Sequence, residues 1–220
     1  METEDKLLGT ISRICLVVTV IWLVLLIYGA ATRSPVETLE QALASVADPD
    51  LLHYLTYANA TLITLSATML FAGLYVRCQA QSPLWAAMGA AFVPIYGLLN
   101  LFAYLSQITI VPRLVALQSA SDLLLAQMVQ GWSGSAVNVV NNLGYAVLGV
   151  PSIIFGVLLG KGDASLRLAG LLLALSGVAS IIGLVGIVAQ SAALGLGSIA
   201  GGVLFLAALI PLSVALLRER

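Results

Sequence analysis

The sequence contains few charged residues, and this scarcity restricts the class of protein. Only 9% of its 220 residues are Asp, Glu, Lys or Arg, whereas 60% are hydrophobic. Soluble domains carry roughly 25% charged residues, because polar side chains must cover the surface that faces water. The mean hydropathy of +1.07 indicates instead a protein whose outer surface faces lipid. A net charge of −1 without a basic cluster argues against a nucleic-acid partner.

Residues that carry catalysis and metal binding are also scarce. His53 is the single histidine, which excludes a metal site built on histidine pairs, and the two cysteines lack zinc-ligand or disulfide spacing. The sequence has no metalloprotease, nucleophile-elbow or phosphate-loop motif. We therefore expect no catalytic residue, no metal and no cofactor. An enzyme is only the third hypothesis for this chain.

Six stretches are long and apolar enough to cross a membrane, which takes about 20 mostly apolar residues. They cover residues 14–31, 55–76, 84–111, 136–159, 166–189 and 194–217. The sequence predicts an all-α transmembrane bundle of about six spans, forming a single domain over residues 1–220. Pro94, Pro151 and Pro211 lie inside spans and are candidate kinks, since membrane helices tolerate proline when neighbours satisfy the freed backbone groups.

The end of the first span could be mistaken for a cleavage site. Gly29, Ala30 and Ala31 resemble the small residues at which signal peptides are cut. The chain starts with an acidic rather than a basic segment, however, and the apolar run is long enough to span. We expect this helix to be retained.

Ten acidic residues all fall outside the spans. Proton relays, ion paths and voltage sensors place charges at membrane depth, and a rhodopsin needs a buried lysine. The absence of such charges argues against an ion-coupled pump and against a rhodopsin.

Lysine and arginine are distributed asymmetrically around the six spans. Seven of the nine fall on one side, namely Lys6, Arg13, Arg77, Lys161, Arg167, Arg218 and Arg220. Arg33 and Arg113 fall on the other side. The positive-inside rule then predicts a multi-pass protein of the cell (inner or plasma) membrane with both termini in the cytoplasm.

Two outer loops of roughly 20 residues carry amphipathic patterns. Apolar residues recur at three- and four-residue steps in 36–46 and in 114–129. Such segments tend to lie in the plane of the membrane interface. They are interpreted as connector helices, with a lid over an outward-facing cavity as the alternative.

Uncharged polar residues follow one face of each middle span. The candidate ligand-binding residues are Thr61 and Thr64 on span two, Asn100, Tyr104 and Gln107 on span three, and Asn142 and Tyr145 on span four. Amides in hydrocarbon need hydrogen-bond partners, so these faces should point at one another. The alternative is ordinary interhelical packing, in which such bonds are worth about 0.6 kcal/mol each.

Small residues four apart mark the last spans. Gly197 and Gly201 let helix backbones approach closely. Tight packing within one chain is the main interpretation, and a homo- or hetero-oligomer through this Gly/Ala seam is the minority one.

Two segments resemble uncharacterised multi-pass membrane proteins of bacteria and archaea. The similarity lies in residues 92–113, with Pro94, Tyr96, Gly97, Asn100, Tyr104 and Gln107, and in residues 138–156, with Tyr145, Gly149, Pro151 and Gly156. It implies a six-span fold in a prokaryotic membrane and no particular activity.

The leading functional hypothesis is a non-enzymatic protein of the lipid bilayer that binds a small apolar or neutral polar molecule within the bundle. It would act as a sensor, carrier or accessory subunit. The second hypothesis is a structural or interaction protein whose partner is another membrane protein.

Overall fold

The computed structural model describes residues 2–34, 36–117 and 121–218, and over these residues the chain forms nine helices and no strand. The helices are α1 (Glu2–Thr32), α2 (Leu39–Ala47), α3 (Leu51–Cys78), α4 (Pro83–Ala116), α5 (Asp122–Met128), α6 (Ala136–Leu159), α7 (Ala164–Val188), α8 (Ala192–Gly195) and α9 (Gly197–Arg218). Six of them, α1, α3, α4, α6, α7 and α9, are long and apolar enough to cross a membrane. The predicted all-α bundle of six spans is confirmed.

Local capping signals define where most of these helices begin. Thr38 and Gln41 form a capping box at the start of α2. Asp50, Ser135 and Asp163 accept backbone N–H groups at the starts of α3, α6 and α7. Each cap satisfies a backbone donor that the first helical turn leaves unpaired.

The six long helices form a closed ring in chain order. Each packs against the preceding and following long helix, and α9 returns to pack against α1. The Ser12 and Ser213 hydroxyls hydrogen-bond at 2.8 Å across this closing α1–α9 contact. The Asn59 side chain donates to the Val18 carbonyl between α3 and α1 at 3.1 Å.

The ring has two ends, which we name by their connections. The connector end carries α2, α5 and α8, and the turn end carries the short turns 79–82 and 160–163. At the connector end, α2 and α5 contact each other and α4. Ala42 and Val46 of α2 are buried against Val111 and Val129 there.

Glycine brings α6, α7 and α9 into close contact. A Cβ added to Gly156 would lie 2.5 Å from the Gly170 carbonyl oxygen, and one added to Gly197 would lie 2.5 Å from the Ala179 carbonyl oxygen. A Cβ on Gly201 would lie 2.3 Å from the Ser180 hydroxyl oxygen. Gly197 and Gly201 thus pack tightly against α7 of their own chain, while oligomer formation stays a prediction.

The predicted outer helices both exist, but the second is shorter than expected. Residues 114–116 belong to α4, which continues past Pro112, and the separate helix begins only at Asp122. Residues 118–120 lie outside the described part of the chain. The helix is extended because Val111 and Val115 pack into the apolar cluster beneath α2, which favours one more helical turn.

Candidate functional site

Two tyrosines join α4 to α6 inside the ring. The hydroxyl groups of Tyr104 and Tyr145 hydrogen-bond to each other. Asn100, one turn before Tyr104 and fully buried, directs its side-chain nitrogen at the Tyr104 hydroxyl at 3.5 Å. The predicted approach of Asn100 and Tyr104 to Tyr145 is confirmed.

Asn142 does not join this group, although it lies on the polar face of span four that was expected to point toward span three. Its amide nitrogen donates to the Asn138 backbone oxygen at 2.9 Å, and its amide oxygen accepts from the Ser198 hydroxyl at 2.7 Å. The reason is that α9, which follows α7 in the ring, also contacts α6 at the connector end and brings Ser198 to Asn142. The Asn100 amide oxygen instead lies against Gly144, and no hydrogen-bond donor reaches it within the described residues.

Gln107 holds the α5 connection rather than lining a cavity. Its side chain donates to the Met128 carbonyl at 2.8 Å and accepts from the Gln130 backbone N–H at 3.0 Å. The His53 ring lies 3.2 Å from the Gln107 carbonyl oxygen. The side chain of Gln107 therefore ties α4 to the segment after α5, and its backbone carbonyl contacts α3 through His53.

The two predicted threonines bond mainly within α3. The Thr61 hydroxyl donates to the Tyr57 carbonyl, and the Thr64 hydroxyl donates to the Ala60 carbonyl, each at 2.9 Å. Thr64 is buried, whereas Thr61 is partly exposed.

A central cavity of about 40 Å³ lies on the axis of the ring and is lined by all six long helices. This volume holds roughly three water molecules or the end of an aliphatic chain. The lining residues are Thr19, Trp22, Ala60, Ile63, Tyr96, Tyr145, Leu148, Ser152, Ser176, Ser180, Gly201, Gly202 and Phe205. Hydroxyl and apolar groups line it, and the lining includes no Asp, Glu, His, Lys or Arg side chain.

The turn end of the central cavity is closed by phenylalanine side chains. Phe205 forms part of the lining and stacks on Phe71 with ring centroids 6.3 Å apart. Phe71 in turn packs on Phe155 at 5.9 Å, and both rings are fully buried. These rings lie among the main apolar core of the bundle.

A second, larger cavity opens at the connector end, and we call it the vestibule. Its volume is about 460 Å³, which is within the usual range for small-molecule sites. Its lining residues are Arg33, Ser34, Val36, Gln41, Ala44, Ser45, Val46, Asp48, Asp50, His53, Tyr57, Val129 and Gly131. The α2 helix covers one side of it, and whether α2 is a connector or a lid stays a prediction.

An ion pair stands at the edge of the vestibule. The Arg33 guanidinium hydrogen-bonds the Asp50 carboxylate, and both side chains are exposed. This bond, followed by the hydrogen bond from the His53 backbone N–H, lowers the pKa of Asp50 below its ordinary value. Asp50 therefore stays ionised and caps α3 while holding the end of α1.

The sequence reasoning found part of this site and missed the rest. Of the seven candidate residues, Tyr145 lines the central cavity and Tyr104 lies directly behind it; ligand binding by the seven stays a prediction. Ser176 and Ser180 line the cavity but are not among the seven, because serines four apart are equally typical of packed helices. The sequence indicated a role for Arg33 and Asp50 only weakly, because both are simply charged residues just outside two spans.

The side chains of the site offer hydrogen bonds and apolar contacts. Among the residues that the structure describes, no group of three or more His, Cys, Asp or Glu side chains could hold a metal ion. Hydroxyl groups in the central cavity can donate to and accept from a neutral ligand, and its apolar walls can enclose a hydrocarbon part.

No known protein family, no curated protein and no solved structure matches the chain. The two cavities and the residues between them are the features of this chain that bear on its function.

Proposed function

We propose that this protein binds a small apolar or neutral polar molecule in its central cavity, acting in the membrane as a sensor, carrier or accessory subunit. The single observation that carries this proposal is the central cavity itself, which all six long helices line. A ligand in a cavity that every spanning helix lines can affect the arrangement of the whole bundle, because any change in the size of the cavity must move several helices.

The lining determines the class of ligand. Ser152, Ser176 and Ser180 contribute hydroxyl groups, and Leu148 and Phe205 contribute apolar surface. An ion would lose its hydration here without gaining a counter-charge, which costs several kcal/mol or more. A neutral molecule with one or two polar groups avoids this cost.

The competing hypothesis, a protein that serves only as a partner for another membrane protein, has less support. The glycine contacts that could have formed an exposed seam are filled by α7 of the same chain. The packing of Gly197 and Gly201 therefore offers no free surface for a partner.

Two matched substitutions of alanine by leucine can test ligand binding. Ala60 lines the central cavity and is 6% exposed, whereas Ala72 lies on the same helix with its side chain on the outer surface. Ala60→Leu should fill the cavity, and Ala72→Leu should leave it unchanged. The probe is azioctanol, a photoreactive aliphatic alcohol, applied to protein in lipid nanodiscs with mapping of adducts by peptide mass spectrometry.

We expect adducts on lining residues such as Tyr96 and Phe205 in the wild type and in Ala72→Leu, and their loss in Ala60→Leu. Equal labelling of lining residues in all three proteins would overturn the proposal, as would adducts confined to the outer surface. Native mass spectrometry of the same samples should show any co-purified small molecule retained by Ala72→Leu and lost by Ala60→Leu.

The six spans also support a location and an orientation. We infer that the protein lies in the cell membrane with the turn end in the cytoplasm and the connector end outside. The support is the excess of lysine and arginine at the turn end, which follows the positive-inside rule. The vestibule would then face the exterior.

A further inference from the structure

The vestibule and the central cavity lie one above the other, separated by a layer of tyrosine side chains. Tyr57 lines the vestibule, and Tyr145 lines the central cavity. Tyr104 lies between them, with its ring centroid 6.4 Å from that of Tyr57 and its hydroxyl bonded to Tyr145. Contacts among Tyr57, Tyr104 and Tyr145 therefore connect the lining of the vestibule to that of the central cavity.

Different kinds of residue bound the central cavity at its two ends. Towards the turn end, Phe71, Phe155 and Phe205 pack as part of a continuous apolar core. Towards the connector end, the hydroxyl groups of Tyr104 and Tyr145 form one hydrogen bond, and the larger vestibule lies beyond it. Opening the first barrier would break core packing, whereas opening the second requires only that one interhelical hydrogen bond be exchanged for bonds to water or ligand.

The surroundings of the tyrosine pair favour movement of Tyr145 over movement of Tyr104. Tyr104 is 5% exposed and is held by Asn100 and by the Tyr57 ring. Tyr145 is half-buried, and its side chain borders the open volume of the central cavity. Tyr145 therefore has free space on its cavity side, whereas Tyr104 is packed on every side that the contacts describe.

We propose that the Tyr104–Tyr145 pair is a gate, and that small neutral molecules reach the central cavity from the vestibule when Tyr145 rotates away from Tyr104. This inference rests on the proposed function, since it assigns the route by which that site is filled. Asn100 is a positioning residue in this scheme, because it orients the Tyr104 hydroxyl from the preceding helical turn. In this scheme a ligand occupies the vestibule, which α2 covers on one side, before it passes the gate.

The test measures access to the central cavity by cysteine modification and needs no ligand. Ser152→Cys places a thiol in the cavity, in a background in which Cys15 and Cys78 are replaced by alanine. The reagent is 2-hydroxyethyl methanethiosulfonate, which is small and neutral like the proposed ligand; it is added to one side of the vesicles and quenched within seconds. Separate reporters, Ser45→Cys in the vestibule and Gln81→Cys at the turn end, show which side of the vesicle the reagent has reached in that time.

The gate predicts that Tyr104→Phe and Tyr145→Phe each accelerate modification at position 152 from the connector end by roughly threefold to tenfold, the effect of losing one hydrogen bond. The double variant should be no faster than the single ones, because both hydroxyls serve the same bond. Tyr54→Phe, on the exposed surface of α3, is the matched control and should leave the rate unchanged.

Three results would overturn the gate. One is modification from the turn end, and another is an unchanged rate in both tyrosine variants while the vestibule reporter reacts normally. The third is acceleration by Trp22→Ala alone with a lipid-soluble maleimide, which would assign access to the lipid side between α1 and α9. Azioctanol binding can succeed or fail independently of these rates, so the gate and the proposed function are judged separately.

Discussion

Gly144 and Asn100 are in such close contact that a Cβ built on the glycine would lie 1.7 Å from the Asn100 side-chain oxygen. No other residue type fits at position 144 while Asn100 keeps its place. Because Asn100 supports Tyr104, this glycine indirectly determines the geometry of the tyrosine pair.

Gly144→Ala should therefore destabilise the bundle by about 1–3 kcal/mol, the usual effect of overpacking a core. Gly29→Ala is the control, because a Cβ there meets no heavy atom within 4 Å. Thermal melting in nanodiscs gives the comparison. Adding Asn100→Ala to Gly144→Ala should recover part of the loss, since the two positions are coupled; strictly additive effects would contradict the contact.

Gln107→Leu should loosen the segment after α5. The change keeps the approximate volume but removes the partners of the Met128 carbonyl and the Gln130 N–H. Buried backbone groups without partners cost about 1–3 kcal/mol, so amide hydrogen exchange over residues 124–131 should become faster. Thr109→Val, on the exposed face of the same helix, removes only a bond within α4 and should leave this exchange unchanged.

The Arg33–Asp50 ion pair should contribute to stability in a pH-dependent way. The pKa of Asp50 is lower in the folded protein than its ordinary value of 3.8, chiefly because of the hydrogen bond from Arg33. The contribution is therefore fully present above pH 3.8 and is lost as the pH falls through the lower, folded-state pKa.

Melting temperatures measured from about pH 3 to pH 6 should thus decline at the acidic end, and Asp50→Asn or Arg33→Gln should reduce that decline. The effect is small, because both side chains are exposed. Glu40→Gln, on the exposed surface of α2, is the control and should leave the profile unchanged. An undiminished decline in both ion-pair variants would show that other groups cause it.

The inferred orientation is testable with three single cysteines in a chain without Cys15 and Cys78. Positions 40, 122 and 161 are all exposed in the structure. An impermeant maleimide added to intact cells should label Glu40→Cys and Asp122→Cys, and should label Lys161→Cys only after the cells are opened. Labelling at position 161 in intact cells would reverse the orientation.

The six spans, their order and the existence of both outer helices followed from the sequence. These features depend on quantities that are local in the chain. An apolar run must be about 20 residues long to cross a membrane, and side chains such as Asp50, Ser135 and Asp163 satisfy the first backbone N–H groups of a helix wherever the rest of the chain lies.

The partners of the polar side chains were decided only by the tertiary structure. Helical spacing placed Asn100 and Asn142 on inward faces, but it could not show that α9 returns to the ring and brings Ser198 to Asn142. Nor could it separate Tyr145, which borders the central cavity, from Gln107, which holds the α5 connection. Periodicity determines which face of a helix is polar, whereas the partner of that face depends on how the helices are arranged around a common axis.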